Sequence, residues 1–196
     1  MNIRIVHISG VSGSGKSTLG RRLRRHLRNR AIVKDLDDLR DEFIRIRYGD
    51  IPWTFLDPTE YQTFIQDFIH RQTKPIIFVG LHDNRYGRKK RHYYDLGARY
   101  KYFIETDDTT LLRQKCARLL KDTLNNERAM RDLVQKNKTF VTTFLDAFHQ
   151  ACDARAMSRM NRAWRDDHRR QGYHFLSPSQ IFQSIISLFD KKKDMY

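Results

Sequence analysis

The sequence predicts an α/β fold built on a parallel sheet, and three observations lead there. Five short β-favouring runs, IRIVHIS (3–9), AIVK (31–34), PIIFVG (75–80), YKYFIE (100–105) and GYHFL (172–176), are separated by stretches with helical spacing. That alternation is what parallel strands joined by crossover helices require. A glycine-rich stretch, GVSGSGKST (10–18), stands directly between the first run and the first helical pattern. The chain has 196 residues, 39% of them hydrophobic, enough for one compact domain with a real core and too few for a second one of similar size. The reading is therefore a single domain over 1–196.

Taken in order, the helices are signed as follows. Leu19, Leu23 and Leu27 recur at i, i+4 and i+8 behind the first strand. Leu39, Phe43 and Ile46 predict a helix after the second strand, with Asp37 and Asp38 as its caps. Asp57 is the cap of a third, with Pro58 at the first helical position, Glu60 three residues after the cap, and Tyr61, Phe64, Ile65, Phe68 and Ile69 on one face. Ser177, Pro178 and Gln180 repeat that start signal before Ile181, Ile185 and Leu188, and a solvated KKKDMY tail follows. No glycine or proline interrupts the chain between 98 and 171, and helical spacing continues through Leu112, Cys116 and Leu119, then Met130, Leu133, Val134, Val141, Phe144, Leu145 and Phe148. Residues 108–171 read as two or three helices, more than one crossover needs, and so as a helical lid or insertion.

Charge is the compositional outlier. A formal net charge of +15 gives the molecule a field that draws polyanions, whether nucleotides, nucleic acid or an acidic surface. Three basic runs carry much of it: RRLRRHLRNR (21–30), RYGRKKRHYY (85–94) and RAMSRMNRAWRDDHRR (155–170). In the last, Arg155, Arg159, Arg162 and Arg169 form one helical stripe, while Met157, Met160 and Trp164 fall mostly on another face. Tyr86, Tyr93 and Tyr94 in the second run, and Trp53 and Phe55 in a loop without helical spacing, are candidates for base stacking or for ordinary packing. The longest apolar stretches, such as IIFVGL (76–81), fall well short of the roughly 20 residues a membrane span needs. No secretory signal is visible, and Cys116 and Cys152 lack any C-x-x-C spacing, so the expectation is a soluble, intracellular, cytoplasmic protein with reduced thiols and no membrane partner. The eight histidines show no metal-ligand spacing.

Gly10-x-x-x-x-Gly15-Lys16-Ser17 is the P-loop pattern, in the strand-to-helix context its mechanism demands. Gly10, Val11, Ser12, Gly13, Ser14, Gly15, Lys16, Ser17 and Thr18 would turn backbone N–H groups around phosphate oxygens, with the positive end of the next helix behind them. Lys16 would reach the β and γ phosphates, and the Ser17 hydroxyl would ligate Mg2+. On these residues and the strand–helix order, the chain resembles the P-loop kinases of small molecules: nucleoside and nucleoside monophosphate kinases, shikimate and gluconate kinases, and adenylylsulfate kinases. The resemblance implies the P-loop NTPase fold, a five-stranded parallel sheet with a mobile lid, and use of ATP and Mg2+. It does not name an acceptor, and GTPases and ATPase motors share the loop.

Behind the second strand, DLDDLR sets Asp35, Asp37 and Arg40 in a D-x-D-x-x-R arrangement that should face the same crevice as the loop. A similar pattern occurs in polynucleotide and adenylylsulfate kinases, whose acceptors are hydroxyls. Carried over, Asp37 takes or orients the hydroxyl proton, Arg40 holds the acceptor and Asp35 supports Mg2+ through water. An alcohol needs such a carboxylate as the P–O bond forms, whereas a phosphate acceptor does not; the same aspartates also read as helix caps. IIFVGLHDN (76–84) ends in Gly80 without the metal-supporting acid that many P-loop proteins carry there, which leaves Asp35 as first choice and Asp83 as second. Gly80 itself permits a close approach by substrate or simply a turn. After the fourth strand, TDDTTLLRQKCAR (106–118) resembles the start of a kinase lid, with Arg118 preferred over Arg113 for neutralising the transferring phosphoryl group. The expected activity is transfer of the γ-phosphoryl group of Mg-ATP to a small acceptor, a nucleoside or nucleotide. Two alternatives stay open: a polynucleotide 5′-hydroxyl kinase, and an ATP-switched NTPase that binds nucleic acid.

Overall fold

The computed structural model describes residues 4–49, 56–84, 92–126, 131, 141–143, 145–146, 148–149 and 153–190. Trp53, Phe55, residues 85–91 of the second basic run, Met130, Leu133, Val134, Phe144, Cys152, the KKKDMY tail and the side chains of Met157 and Met160 lie outside the described residues. The chain divides into two compact units, one of 1–10, 15–105 and 171–196, the other of 11–14 and 106–170.

The first unit is built on five strands, and each β-favouring run in the sequence supplies one: β1 (Ile5–Ser9), β2 (Ile32–Asp35), β3 (Ile76–Val79), then β6 (Tyr100–Ile104) and β7 (His174–Leu176). Their order is β2-β3-β1-β6-β7 and every pairing is parallel. This is the P-loop α/β architecture, with the Gly10–Thr18 loop between β1 and α1 (Lys16–Leu27). The sequence reading did not foresee a two-stranded antiparallel hairpin, β4 (Asp83–Asn84) with β5 (His92–Tyr93), which leaves the end of β3.

Alternation along the strands divides the apolar side chains between two faces. Val6, Ile8, Ile77, Val79, Tyr102 and Ile104 pack with Leu19, Leu23 and Leu27 of α1 and with Ile181, Phe182, Ile185 and Ile186 of the last helix, α6 (Pro178–Asp190). Ile5, Ile76 and Phe78 pack with α2 (Leu36–Tyr48) and α3 (Pro58–His70) through Leu39, Phe43, Tyr61, Ile65 and Ile69. Capping fixes where these helices begin. Ser177 and Gln180 form a reciprocal box, with Gln180 N–H donating to Ser177 Oγ at 3.3 Å and Ser177 N–H to Gln180 Oε1 at 2.9 Å. Asp57 accepts from the N–H groups of Thr59 and Glu60, but Glu60 does not reach back to it. Its carboxylate instead takes both Nε and Nη2 of Arg47 and the Tyr48 hydroxyl, fastening the end of α2 to the start of α3.

In α2 the structure corrects two expectations. Ile46 is 66% exposed, and Ile44 lies inward instead, because the buried set Leu36, Leu39, Phe43 and Ile44 already follows the helical period. The cap is Asp35, whose side chain accepts the Asp37 N–H; Asp37 and Asp38 sit in the first turn, where their charges favour the helix dipole without capping it.

The second unit contains α4 (Asp108–Leu124) and α5 (Ala154–Arg170). Asp107 caps α4 by accepting the Thr110 N–H. Asn161 Nδ2 of α5 donates to Asp108 Oδ1 at 2.9 Å, and Arg165 to the Thr106 carbonyl at 2.7 Å. Leu111, Trp164 and His168 are buried, the last donating from Nδ1 to the Trp164 carbonyl one turn back. No helix among the described residues is long and apolar enough to cross a membrane.

Gly80 shows how tightly the end of the sheet is assembled. It has φ 135, and a Cβ placed on it would stand 3.0 Å from Leu36 Cβ and 3.5 Å from Asp35 Oδ1. The close approach that demands glycine is thus made by the start of α2. Gly80→Ala is expected to destabilise the protein by about 1–3 kcal/mol in urea unfolding, from backbone strain and the Leu36 contact. A loss within about 0.5 kcal/mol, the usual span for a surface substitution, contradicts this packing.

Candidate active site

Parallel pairing brings strand ends to one edge. Ile8 is opposite Val79 and Asp35 is opposite Val79, so the residues that follow β1, the end of β2 and Gly80 after β3 share it. From this edge the loop departs. Gly13 and Gly15 adopt φ 85 and 88, conformations that side-chain-bearing residues avoid, and the second of these delivers the chain into α1 without any capping side chain. The first-turn N–H groups of α1 are therefore left to an incoming anion.

Within the first unit, Lys16 folds back so that Nζ donates to the Gly10 carbonyl at 2.7 Å. Ser17 Oγ stands 3.5 Å from Asp35 Oδ2, the outer limit of a hydrogen bond. Asp35 Oδ1 is engaged at 3.0 Å by the Asp37 N–H, which turns Oδ2 toward Ser17. Burial raises the pKa of this carboxyl, and the neighbouring charges of Asp37 and Asp38 push the same way; the Asp37 N–H and Lys16 oppose them. Asp83, the second candidate acid, starts β4 with its carboxylate oxygens buried.

Asp37 is exposed and ion-paired with Arg40, at 3.2 Å, across one helical turn. Arg40 is more covered and lines a narrow cleft with Leu36, Tyr61, Leu81, His82 and Asp83. At about 10 Å3 this cleft holds a water molecule rather than a nucleoside. A neighbouring cavity of about 170 Å3 shares His82, Tyr94 and Leu96 with it and is lined further by His7, Tyr93, Lys101, Gln171 and Tyr173.

Those polar linings escaped the sequence reading, which gave the histidines no chemistry. His7 Nε2 donates to the Gly80 carbonyl at 3.0 Å, and its Nδ1 meets the Tyr173 hydroxyl. His82 Nε2 lies 3.1 Å from Gln171 Oε1 and 3.4 Å from Tyr173 Oη. Burial holds the Tyr173 phenol far above its ordinary pKa, so it stays protonated and serves as a hydrogen-bond donor. The available signal was faint: His7 occupies an inward position of β1, where the alternation calls for an apolar side chain.

In the second unit, α4 exposes Arg113, and Arg118 is 73% exposed in a pair with Asp122. This unit includes Val11–Ser14 of the loop, with Ser14 N–H donating to the Val11 carbonyl at 3.1 Å. Three residues of α4 stand against the loop at Gly13: from a Cβ placed there, Lys115 Cγ would lie at 3.5 Å, and Gln114 Cβ and the Leu111 carbonyl at 3.9 Å. Burial lowers the Lys115 pKa. Lys115 follows the fully buried Leu111 by one turn, which places it on the inward face; Arg113 lies on the opposite face, and Arg118, two turns beyond Leu111 on the same stripe, is nevertheless exposed. On α5, Arg155, Arg159, Arg162 and Arg169 are exposed and Trp164 is buried, the two faces that the spacing implied.

The loop residues fit a Mg-nucleotide. In the second unit, Ser14 Oγ is buried with no hydrogen-bond partner among the described residues, a polar atom that a phosphate oxygen would satisfy. In the first unit, Lys16 rests on the Gly10 carbonyl, which it can exchange for phosphate, and Ser17 Oγ and Asp35 Oδ2 lie 3.5 Å apart. Among the described residues there is no group of three or more His, Cys, Asp or Glu able to hold a metal ion. A Mg2+ held largely by water and phosphate requires no such group.

No family model matches the sequence, and no curated protein matches it. Among solved structures the chain is similar to shikimate kinase from Acinetobacter baumannii in complex with shikimate, at 13% identity over 98% of this chain and 96% of that one, with a TM-score of 0.38. It is also similar to a gluconokinase from Sinorhizobium meliloti 1021, at 16% identity over 84% of this chain and 97% of that one, with a TM-score of 0.35. Likenesses this low carry no conclusion about the chemistry of this chain, whose architecture rests on its own strand order and loop geometry.

The raised pKa of Asp35 has a stability consequence. A folded carboxyl that holds its proton more tightly than the unfolded chain contributes stability that is full below the unfolded value and lost as pH rises through the folded one. Asp35→Asn cannot ionise and keeps a capping oxygen. Relative to wild type it should gain stability as pH rises from below the ordinary carboxylate range towards neutrality, measured by urea unfolding at each pH. A variant whose difference from wild type is flat, or falls, with pH would show that Asp35 is not held against its charge.

Proposed function

We propose that this protein is a phosphotransferase that moves the γ-phosphoryl group of Mg-ATP to a hydroxyl of a small acceptor, a nucleoside or nucleotide. The observation that carries the reading is the convergence of Lys16, Ser17 and Asp35 where β1 and β2 end, beside a loop that follows the P-loop pattern residue by residue. The loop N–H groups and Lys16 bind and neutralise the phosphates, and positioning of that kind supplies most of the catalysis in phosphoryl transfer. Ser17 and Asp35 would hold Mg2+, the latter through water; when bound, the ion neutralises phosphate charge.

Asp37 takes the proton of the acceptor hydroxyl, and its partner Arg40 orients the acceptor from the cleft beside Tyr61 and His82. Lys115, on the inward face of α4, joins Arg113 and Arg118 as a cation for the transferring group. Residues 108–171 serve as the lid within one functional domain that spans the chain. The 170 Å3 cavity beside the Arg40 cleft supplies room for the acceptor that the cleft alone lacks.

ADP release from Mg-ATP is to be followed with a panel of nucleosides, nucleoside monophosphates, shikimate, gluconate, adenylylsulfate and a 5′-hydroxyl oligonucleotide. The expected result is acceptor-dependent turnover that falls at least about a hundredfold in Lys16→Ala. With a hydroxyl acceptor, Asp37→Asn should lower kcat by about 10²–10⁴ and leave KM for ATP little changed. Hydrolysis that is slow, and equal with and without every acceptor, contradicts phosphotransfer and favours the nucleotide-switched binding protein.

A further inference from the structure

The segment 21–30, RRLRRHLRNR, holds six arginines, one histidine and no acid. Its arginines divide by what they touch. Arg22 lies over the Phe182 ring at 3.8 Å, Arg24 donates to the Val33 carbonyl at 2.9 Å, and Arg30 pairs with Asp190 at 3.1 Å. These three fasten α1 to its own unit. Arg21, Arg25 and Arg28 are different: Arg21 and Arg25 stand on α1 opposite the buried Leu19, Leu23 and Leu27, Arg28 follows as the residue that ends the helix with φ 47, and all three are exposed.

Among the described residues none of those three has an ion pair; Arg21 has only a 3.4 Å hydrogen bond to the Thr18 hydroxyl one turn back. The helix dipole accounts for cations in the last turn of α1. It does not account for Arg21, nor for like charges at i,i+3 and i,i+4 with no acid beside them, an arrangement that costs a few tenths of a kcal/mol per pair. Solvated helix faces ordinarily intersperse both signs.

We infer that Arg21, Arg25 and Arg28 form a docking strip for the sugar-phosphate backbone of double-stranded nucleic acid, separate from the phosphoryl-transfer site. The strip is about 10 Å long at 1.5 Å per helical residue, and a duplex offers a charge about every 1.7 Å, so three guanidinium groups meet phosphates without a special register. Guanidinium groups present paired donors suited to phosphate oxygens. The three arginines have no ring among them, the neighbouring Phe182 is buried under Arg22, and the exposed His26 ring stands edge-on to Phe182 on the leucine side of α1; this favours a backbone over unpaired bases. Nor does α1 have an apolar face to lay in a lipid surface, because its three leucines are in the core.

The test is fluorescence anisotropy of the full chain with a labelled 16-base-pair DNA duplex between about 50 and about 200 mM KCl, without nucleotide. Two variants are compared: Arg21→Gln, Arg25→Gln, Arg28→Gln together, and Arg155→Gln, Arg159→Gln, Arg162→Gln together, which removes the same charge from α5. The strip predicts that the first triple variant lowers the slope of log K against log salt by about 2.7, at about 0.9 per lost phosphate contact, and the second by clearly less. Arg25→Glu alone, at an exposed position, should weaken duplex binding in the same direction should the triple variant fold poorly. Equal losses in both triple variants, an unchanged slope in the first, or tighter arginine-dependent binding to phosphatidylserine vesicles than to the duplex each overturn the assignment. ADP release by the α1 variant should match wild type, which keeps this outcome independent of the phosphotransfer reading.

Discussion

Everything at the candidate site depends on the register of three parallel strands. Because Asp35 and Ile8 both stand opposite Val79, the end of β2, the start of the P-loop and the turn after β3 emerge together. A slip of one residue would reverse every side chain between faces and break both apolar clusters, so the two-faced core enforces the register. Gly80 completes the constraint: with no Cβ it lets the start of α2 come down against the sheet, and so fixes where the Asp35 carboxylate stands. Core packing and site geometry are, at this edge, one problem.

Asp35 shows how a single side chain meets several demands. It ends a strand, caps a helix and offers its second oxygen to Ser17, all while partly desolvated beside two further carboxylates. A structural cap alone would need none of that crowding. A carboxylate held at some cost to stability, beside a lysine and a hydroxyl where a glycine-rich loop enters its helix, is the pattern expected where a cation and a polyphosphate are to be accepted.

Much of the fold could be read from the sequence because its signals were local. Five β-favouring runs gave five strands, and Asp57 and Ser177 start helices where their side chains say they should. The place of the P-loop pattern between β1 and α1 was legible for the same reason, since its glycines stand at a fixed spacing. Failures came where tertiary contacts decide. The cap of α2 moved to Asp35 because strand β2 ends there, and Ile46 faces water because Ile44 takes the inward place. His7, His82 and Tyr173 meet only through the order β1-β6-β7 and the hairpin after β3, separations that no spacing rule reports. Lys115 was hidden by its neighbours: two arginines promised more charge, but Lys115 stands one turn from the buried Leu111 and beside Gly13, whereas Arg118, a turn further along α4, is exposed.

The central claim is that Ser17 and Asp35 hold the metal of a Mg-nucleotide at this edge. Calorimetric titration of ATP into wild type and Asp35→Asn, each with Mg2+ and with EDTA, tests it most directly. The account predicts that Mg2+ tightens ATP binding to wild type and that most of this gain is lost in Asp35→Asn, while the EDTA affinity is equal or better in the variant because a negative charge near the phosphates has gone. An undiminished Mg2+ dependence in Asp35→Asn would place the metal elsewhere and contradict the site described for this chain.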